Sequence, residues 1–188
     1  RISPFELLIT GGSSSYGDTA GALKFSADRL GIPPDRRGRH GYPDSWEQRF
    51  DAKPGALILD LRRLPDGDAP VVKYPNNRPM ARVFATSVVL PGGDVLLAGG
   101  QSKSAVFQDT HSVMPAEIYD SQNKTFATVD RLKAARNYHS AGILLPDARV
   151  LMVGGGACSA KTKGCAPDAS DDPPRSVRTG YEFYEPPY

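Results

Sequence analysis

Short apolar runs separated by turn-forming residues set the pattern of this chain. The runs are Leu7-Leu8-Ile9-Thr10, Ala56-Leu57-Ile58-Leu59-Asp60, Val95-Leu96-Leu97-Ala98, Ala116-Glu117-Ile118-Tyr119-Asp120, Val150-Leu151-Met152-Val153 and Tyr181-Glu182-Phe183-Tyr184-Glu185. Each is short, rich in β-branched, aliphatic or aromatic residues, and bounded by Gly, Pro or Asp, which predicts strands rather than helices. Three of them end at an acid: Asp60, Asp120 and Glu185. Pro91-Gly92-Gly93-Asp94 and Pro146-Asp147-Ala148-Arg149 read as turns between antiparallel strands. Three apolar runs close on a glycine pair, Gly11-Gly12, Gly99-Gly100 and Gly154-Gly155. Paired glycines let the backbone turn and pack closely at a strand end.

The pattern repeats. Ala81-Arg82-Val83-Phe84-Ala85-Thr86 through Pro91 matches Ala135-Arg136-Asn137-Tyr138-His139-Ser140 through Pro146, and the second copy carries one extra residue before its proline. The glycine pairs Gly99-Gly100 and Gly154-Gly155 follow 55 residues apart. That spacing fits the kelch type of β-propeller, whose period is roughly 50. The predicted fold is all-β, part of a kelch-type β-propeller. There is material for about three blades, and a propeller closes with roughly four to eight. The remaining blades are therefore expected outside this chain, and residues 1–188 are expected to be a partial propeller. Residues 24–54 interrupt the repeat with seven basic and five acidic residues and the only tryptophan, Trp46. They predict a long inserted surface loop, with Trp46 anchoring it on the body.

Composition narrows the class. Gly and Pro number 19 and 17, which excludes a coiled coil or helix bundle. Lys and Arg total 23 against 21 acids, a net charge of +2, so the chain lacks the basic excess of a nucleic-acid binder. No apolar run approaches the roughly 18 residues of a membrane-spanning helix. The chain opens Arg1-Ile2-Ser3, which suggests an internal or processed piece of something longer. Cys158 and Cys165 are separated by six small, polar or Lys residues; a disulfide or an incomplete metal site both suit that spacing, and the disulfide is favoured. A disulfide would indicate an oxidising compartment. Asn123-Lys124-Thr125 is a glycosylation sequon in a polar, turn-like stretch.

The sharpest chemical feature is Arg136-Asn137-Tyr138-His139-Ser140. Along a regular strand, neighbouring side chains point to opposite faces, so Tyr138 and His139 could serve one metal only where the strand is irregular. Imidazole suits copper, and a copper-bound tyrosine can ionise below its ordinary pKa of about 10. Arg82 and Arg136 are expected to hold neighbouring loops through carbonyl hydrogen bonds, and Asp109 and Asp120 to form turns. His40 reads as solvated, and His111 lies near the expected pocket rim.

The pieces ITGGSSSYGDT, MARVFATSVVLPGGDVLLAGGQ, AVFQDTHSVMPAEIYD, ARNYHSAGILLPDARVLMVGGGAC and GYEFYEPPY run in this order from Leu7 to Tyr188, apart from the insertion. In them the chain resembles galactose oxidase and glyoxal oxidase, the copper radical oxidases. The resemblance implies about three blades of a propeller of about seven, followed in the full-length protein by a C-terminal β domain. It implies one copper ion, with Tyr138 as axial ligand and general base and His139 as equatorial ligand. It makes Tyr16, Phe84 and Phe107 substrate contacts and pairs Cys158 with Cys165. Gly17 and Ala85 depart from the glutamine and histidine that galactose oxidase carries there, which argues against galactose as substrate. The tyrosyl–cysteine radical cofactor and the last histidine ligand would lie elsewhere in the full-length protein. The implied activity is oxidation of a primary alcohol, aldehyde or carbohydrate by dioxygen, giving hydrogen peroxide outside the cell. The alternative is a non-catalytic kelch propeller in an extracellular matrix or surface assembly.

Overall fold

The computed structural model describes residues 5–13, 51–104, 109, 111–155 and 180–187. Among the described residues, ten strands form three antiparallel sheets. The first runs β1 (Glu6–Thr10), β2 (Ala56–Asp60), β3 (Val71–Lys73). The second runs β4 (Thr86–Val89), β5 (Val95–Ala98), β6 (Pro115–Asp120), β7 (Thr125–Arg131). The third comprises β8 (Ser140–Leu144), β9 (Val150–Gly154) and β10 (Tyr181–Tyr184), with β9 in the middle. Among the described residues, helical geometry is confined to a 3-10 turn at Leu64–Asp66. The fold is all-β, a β-propeller fragment, as the periodicity predicts; the sheets are called blades one, two and three.

The turns form where the residues dictate. Leu90 and Asp94 close the β4–β5 hairpin, with the Leu90 N–H donating to the Asp94 carbonyl at 2.8 Å. Leu145 and Arg149 repeat this bond at 2.8 Å in the β8–β9 hairpin. Gly93 takes the left-handed φ of 93° in the first, and Ala148 takes 69° at the matching position in the second. β10 stops at Tyr184, one residue short of the predicted acid Glu185. The apolar pattern did not announce β7, whose sequence TFATVDR is mostly exposed at the outer edge of blade two. The end of the expected 24–54 loop is also paired: Ala52 bridges Ser13 and Asp51 bridges Lys103.

Alternation along the strands builds two cores, one on each face of blade two. Val95, Leu97, Tyr119 and Phe126 pack toward blade one against Ile58, with Leu8 alongside. Leu96, Ala98, Ala116 and Val88 pack toward blade three against Val150 and Met152. Burying each such aliphatic side chain is worth about 1.5–3 kcal/mol. The far faces stay open: Leu7 and Ile9 on blade one and Tyr181 and Phe183 on blade three are exposed. The Tyr119 ring is buried without a hydrogen-bond partner for its hydroxyl, and burial pushes that phenol up to about 12. Asp60, by contrast, is held well below the usual carboxylate range by hydrogen bonds from Arg62 and Lys73.

Candidate functional site

Two buried arginines frame the glycine-pair ends of the blades. Arg82 pairs with Glu117 through Nη2 at 2.8 Å and donates to the Gly99 and Pro115 carbonyls at 3.0 and 2.7 Å. Arg136 pairs with Glu182 through Nε at 3.1 Å and donates to the Gly154 carbonyl at 2.8 Å. The arginine carbonyls are used as well. The Gly12 N–H donates to Arg82 and the Gly100 N–H to Arg136, both at 2.8 Å. A hydrogen-bond relay thus runs from blade one through blade two to blade three. Each arginine carbonyl takes a bond from the preceding blade, and each guanidinium reaches its own blade's glycine. The carbonyl bonds predicted for both arginines are present. Glu117 and Glu182 were not foreseen, although both stand two residues before the tyrosine of the repeated strand motif, and that shared position was the available signal.

Close packing explains why glycine closes these strands. A Cβ on Gly99, at φ 70°, would lie 2.1 Å from the Arg136 carbonyl oxygen. A Cβ on Gly11, at φ 67°, would lie 2.4 Å from the Arg82 carbonyl oxygen.

The extra residue of the second copy now has a place. The hairpin registers match Thr86, opposite Ala98, with Ala141, opposite Val153, an offset of 55, whereas Arg82 and Arg136 correspond at 54. The additional residue therefore falls between Arg136 and Ala141. There the chain makes a tight turn over Asn137–Ser140, closed by the Ser140 N–H donating to the Asn137 carbonyl at 3.0 Å. His139 takes the third position with φ 68°, as a turn of this hand requires. A left-handed φ on a non-glycine residue costs roughly 1–3 kcal/mol and persists only where the surroundings impose it. Here the buried arginine on one side and the β8 ladder on the other impose it.

Because Tyr138 and His139 sit in a turn, they escape strand alternation. Their ring centroids lie 3.9 Å apart with a 34° tilt, Tyr138 half-buried and His139 exposed. Phe84 meets Tyr138 edge-on, with centroids 5.4 Å apart and planes at 68°. Phe84 itself has φ 59°, in the bend that follows the Val83–Gln101 bridge of blade two. Next to it, Ala85 opens a cavity of about 380 Å³ that Phe84, Arg82, Gly11, Gly12 and Met80 also line. The turn therefore brings Tyr138, His139 and Phe84 together. A phenol oxygen and an imidazole nitrogen on adjacent residues are donors of the kind copper takes. Among the described residues no group of three or more His, Cys, Asp or Glu gathers to hold a metal ion.

Tyr16, Phe107, Cys158 and Cys165 lie outside the described residues, as do His40 and Trp46. Asn123 is exposed in the β6–β7 turn, its amide donating to the Asp120 carboxylate at 2.7 Å. Asp120 forms that turn as predicted, and hydrogen bonds from the Asn123 N–H and side-chain amide, with a smaller one from the Gln122 N–H, lower its pKa. His111 is exposed with φ 62°, and its carbonyl accepts from the Ser102 N–H at 2.8 Å. No helix among the described residues is long and apolar enough to cross a membrane.

The family model for the glyoxal oxidase N-terminus matches residues 65–166. A galactose oxidase of Gibberella zeae is 35% identical over 161 residues, covering 78% of this chain and 23% of that protein. A fungal alcohol oxidase solved in complex with copper superposes with a TM-score of 0.60 at 30% identity, covering 73% of this chain and 26% of that one. The chain spans about a quarter of the length of these relatives.

Proposed function

The chain belongs to the glyoxal oxidase N-terminus family, and from that premise we propose that it is part of an extracellular copper oxidase. Such an enzyme oxidises a primary alcohol or aldehyde by two electrons and reduces dioxygen to hydrogen peroxide. In this reading residues 1–188 are a partial kelch-type propeller with an inserted loop at 24–54, completed by the remaining blades and a C-terminal β domain. A tyrosyl–cysteine radical cofactor belongs elsewhere in the full-length protein. The observation that carries the reading is the adjacent phenol and imidazole, 3.9 Å apart on a turn strained at His139 and held by a buried arginine.

Tyr138 and His139 would hold one copper ion, which when bound supplies one-electron redox chemistry and draws electrons from a bound substrate oxygen. His139 would fix the ion through its imidazole. The Tyr138 oxygen would accept the proton of the substrate hydroxyl as general base. Phe84, with Tyr16 and Phe107, forms an aromatic wall that orients the substrate carbon. Ala85 leaves open space beside that wall, which favours substrates other than galactose. Cys158 and Cys165 form a disulfide, and Asn123 carries a glycan, both in keeping with secretion.

The test uses the full-length protein. His139→Ala should lose most of the copper after aerobic loading. Tyr138→Phe should keep much of the copper and lose about a hundred- to ten-thousand-fold in turnover. A parent protein that binds no copper, or variants that oxidise alcohols and aldehydes like the parent, would leave a non-catalytic kelch propeller of an extracellular assembly as the function.

A further inference from the structure

The residue before Tyr138 separates blade three from blade two. In blade two the arginine is followed by Val83, whose backbone exchanges two hydrogen bonds of 2.9 Å with Gln101. In blade three the arginine is followed by Asn137, only 2% exposed. An amide this deeply buried is unfavourable unless it is hydrogen-bonded. Its Nδ2 donates to the Ser112 Oγ at 2.8 Å and approaches the Asp109 carboxylate at 3.5 Å. The Ser112 hydroxyl in turn donates to the Asp109 carbonyl at 2.6 Å. Asn137 also closes the Tyr138–His139 turn through its own carbonyl, which accepts the Ser140 N–H at 3.0 Å. One residue therefore bonds the turn with its main chain and a corner of blade two, at Asp109 and Ser112, with its side chain.

The corner is itself well placed. Ser112 pairs with Gln101, and the Val113 N–H donates to the Gly100 carbonyl at 2.8 Å. The neighbouring Gly100 N–H donates to Arg136 at 2.8 Å. The turn is thus attached to blade two at two points, by the backbone of Gly100 and by the side chain of Asn137. The backbone bond recurs in the other blade junction, from Gly12 to Arg82. The side-chain bond has no counterpart at Val83, so the general packing of blades does not require it.

We propose that Asn137 is a positioning residue that ties the Tyr138–His139 turn to the Asp109–Ser112 corner, so that displacement of the corner shifts the two donor rings. The consequence for chemistry rests on the reading that Tyr138 and His139 hold copper; the coupling does not. It makes the corner a determinant of how the turn presents the two donor rings to a metal and a substrate.

Two measurements on the full-length protein separate the claims. In the metal-free protein, Ser112→Ala should accelerate amide hydrogen exchange several-fold in peptides covering 137–141, and Ser112→Thr, which keeps the hydroxyl, should restore the parent rate. Parent-like exchange in Ser112→Ala overturns the coupling even if copper binds. In the copper-loaded protein, Asn137→Val and Ser112→Ala should each change the copper electron paramagnetic resonance parameters and lower kcat/KM about tenfold. The double variant should be no worse than the poorer single one, because both remove the same link. Multiplying effects, or a parent-like spectrum in Asn137→Val, also overturn it. A parent that binds no copper while Ser112→Ala still loosens the turn removes the oxidase reading and leaves the coupling in place.

Discussion

In blade two the segment after the buried arginine reads Val83-Phe84-Ala85 and enters β4 at Thr86; in blade three it reads Asn137-Tyr138-His139 and enters β8 at Ser140, with the ladder shifted by one residue, since the counterpart of Thr86 opposite Ala98 is Ala141 opposite Val153. Arginine, partner glutamate, glycine carbonyl and hairpin are otherwise the same in both. A common frame therefore delivers an apolar wall from one blade and two potential donors from the next. The single added residue turns a bridge into a tight turn. Adjacent side chains that a strand would have sent to opposite faces then project together. The arginine clamps also differ in burial. The Glu117 side chain is 5% exposed and the Glu182 side chain 13%. Breaking the first leaves a more completely desolvated carboxylate.

The comparison can be broken first at the junction it depends on. Gly99→Ala should be the most damaging change, because its Cβ would meet the Arg136 carbonyl oxygen at 2.1 Å and φ is 70°. Backbone cannot yield cheaply there, and a loss above about 4 kcal/mol, or no folded full-length protein, is expected. Gly12→Ala, with φ 96° but nothing within 4 Å, should lose only about 1–2 kcal/mol in thermal unfolding. Equal losses at the two glycines would mean that φ alone, not the contact with the next blade, sets the requirement.

The clamps come next. Arg82→Leu should cost about 3–5 kcal/mol by leaving Glu117 buried and uncompensated. Arg136→Leu should cost less, since Glu182 retains more access to water. Denaturation midpoints that rank Arg136→Leu as the worse variant would contradict the burial argument.

A smaller, pH-dependent contrast lies between matched acids of blades one and two. Asp60 is lowered chiefly by hydrogen bonds from Arg62 and Lys73, Asp120 by those from Asn123. In each case the folded pKa lies below the unfolded one of about 4. Their stabilisation is therefore complete above about pH 4 and is lost as pH falls further, toward the folded pKa. Asp60→Asn should flatten the acid limb of the melting profile more than Asp120→Asn, because it dissolves ion pairs as well as hydrogen bonds. Identical profiles would show that the charges add nothing.

The mildest change is Tyr119→Phe. Its hydroxyl is buried without a partner, so removing it should be neutral or stabilising by up to about 1 kcal/mol. It should also abolish any loss of stability between pH 10, the unfolded value, and the folded value of about 12. A clear destabilisation at neutral pH would show that the hydroxyl is satisfied in solution.

The local pattern of the chain determined a good deal by itself. Apolar runs of strand length, proline-led turns and glycine pairs at a 55-residue spacing specify the sheets, because each signal acts over a few residues of backbone. The Tyr-His pair and the two arginines were visible for the same reason, as rare residue types at repeated positions. β7 was not visible, since an exposed outer strand such as Thr125–Arg131 needs no apolar face. The location of the extra residue was also hidden: sequence placed it somewhere before Pro146, and only the hairpin register assigned it to the Tyr138–His139 turn. The pairing of Arg82 with Glu117 and Arg136 with Glu182, and the reach of Asn137 to Ser112, join residues 25 to 46 positions apart. Contacts at that separation depend on how blades stack, and stacking is decided by the shared apolar cores on the two faces of blade two, not by any one segment.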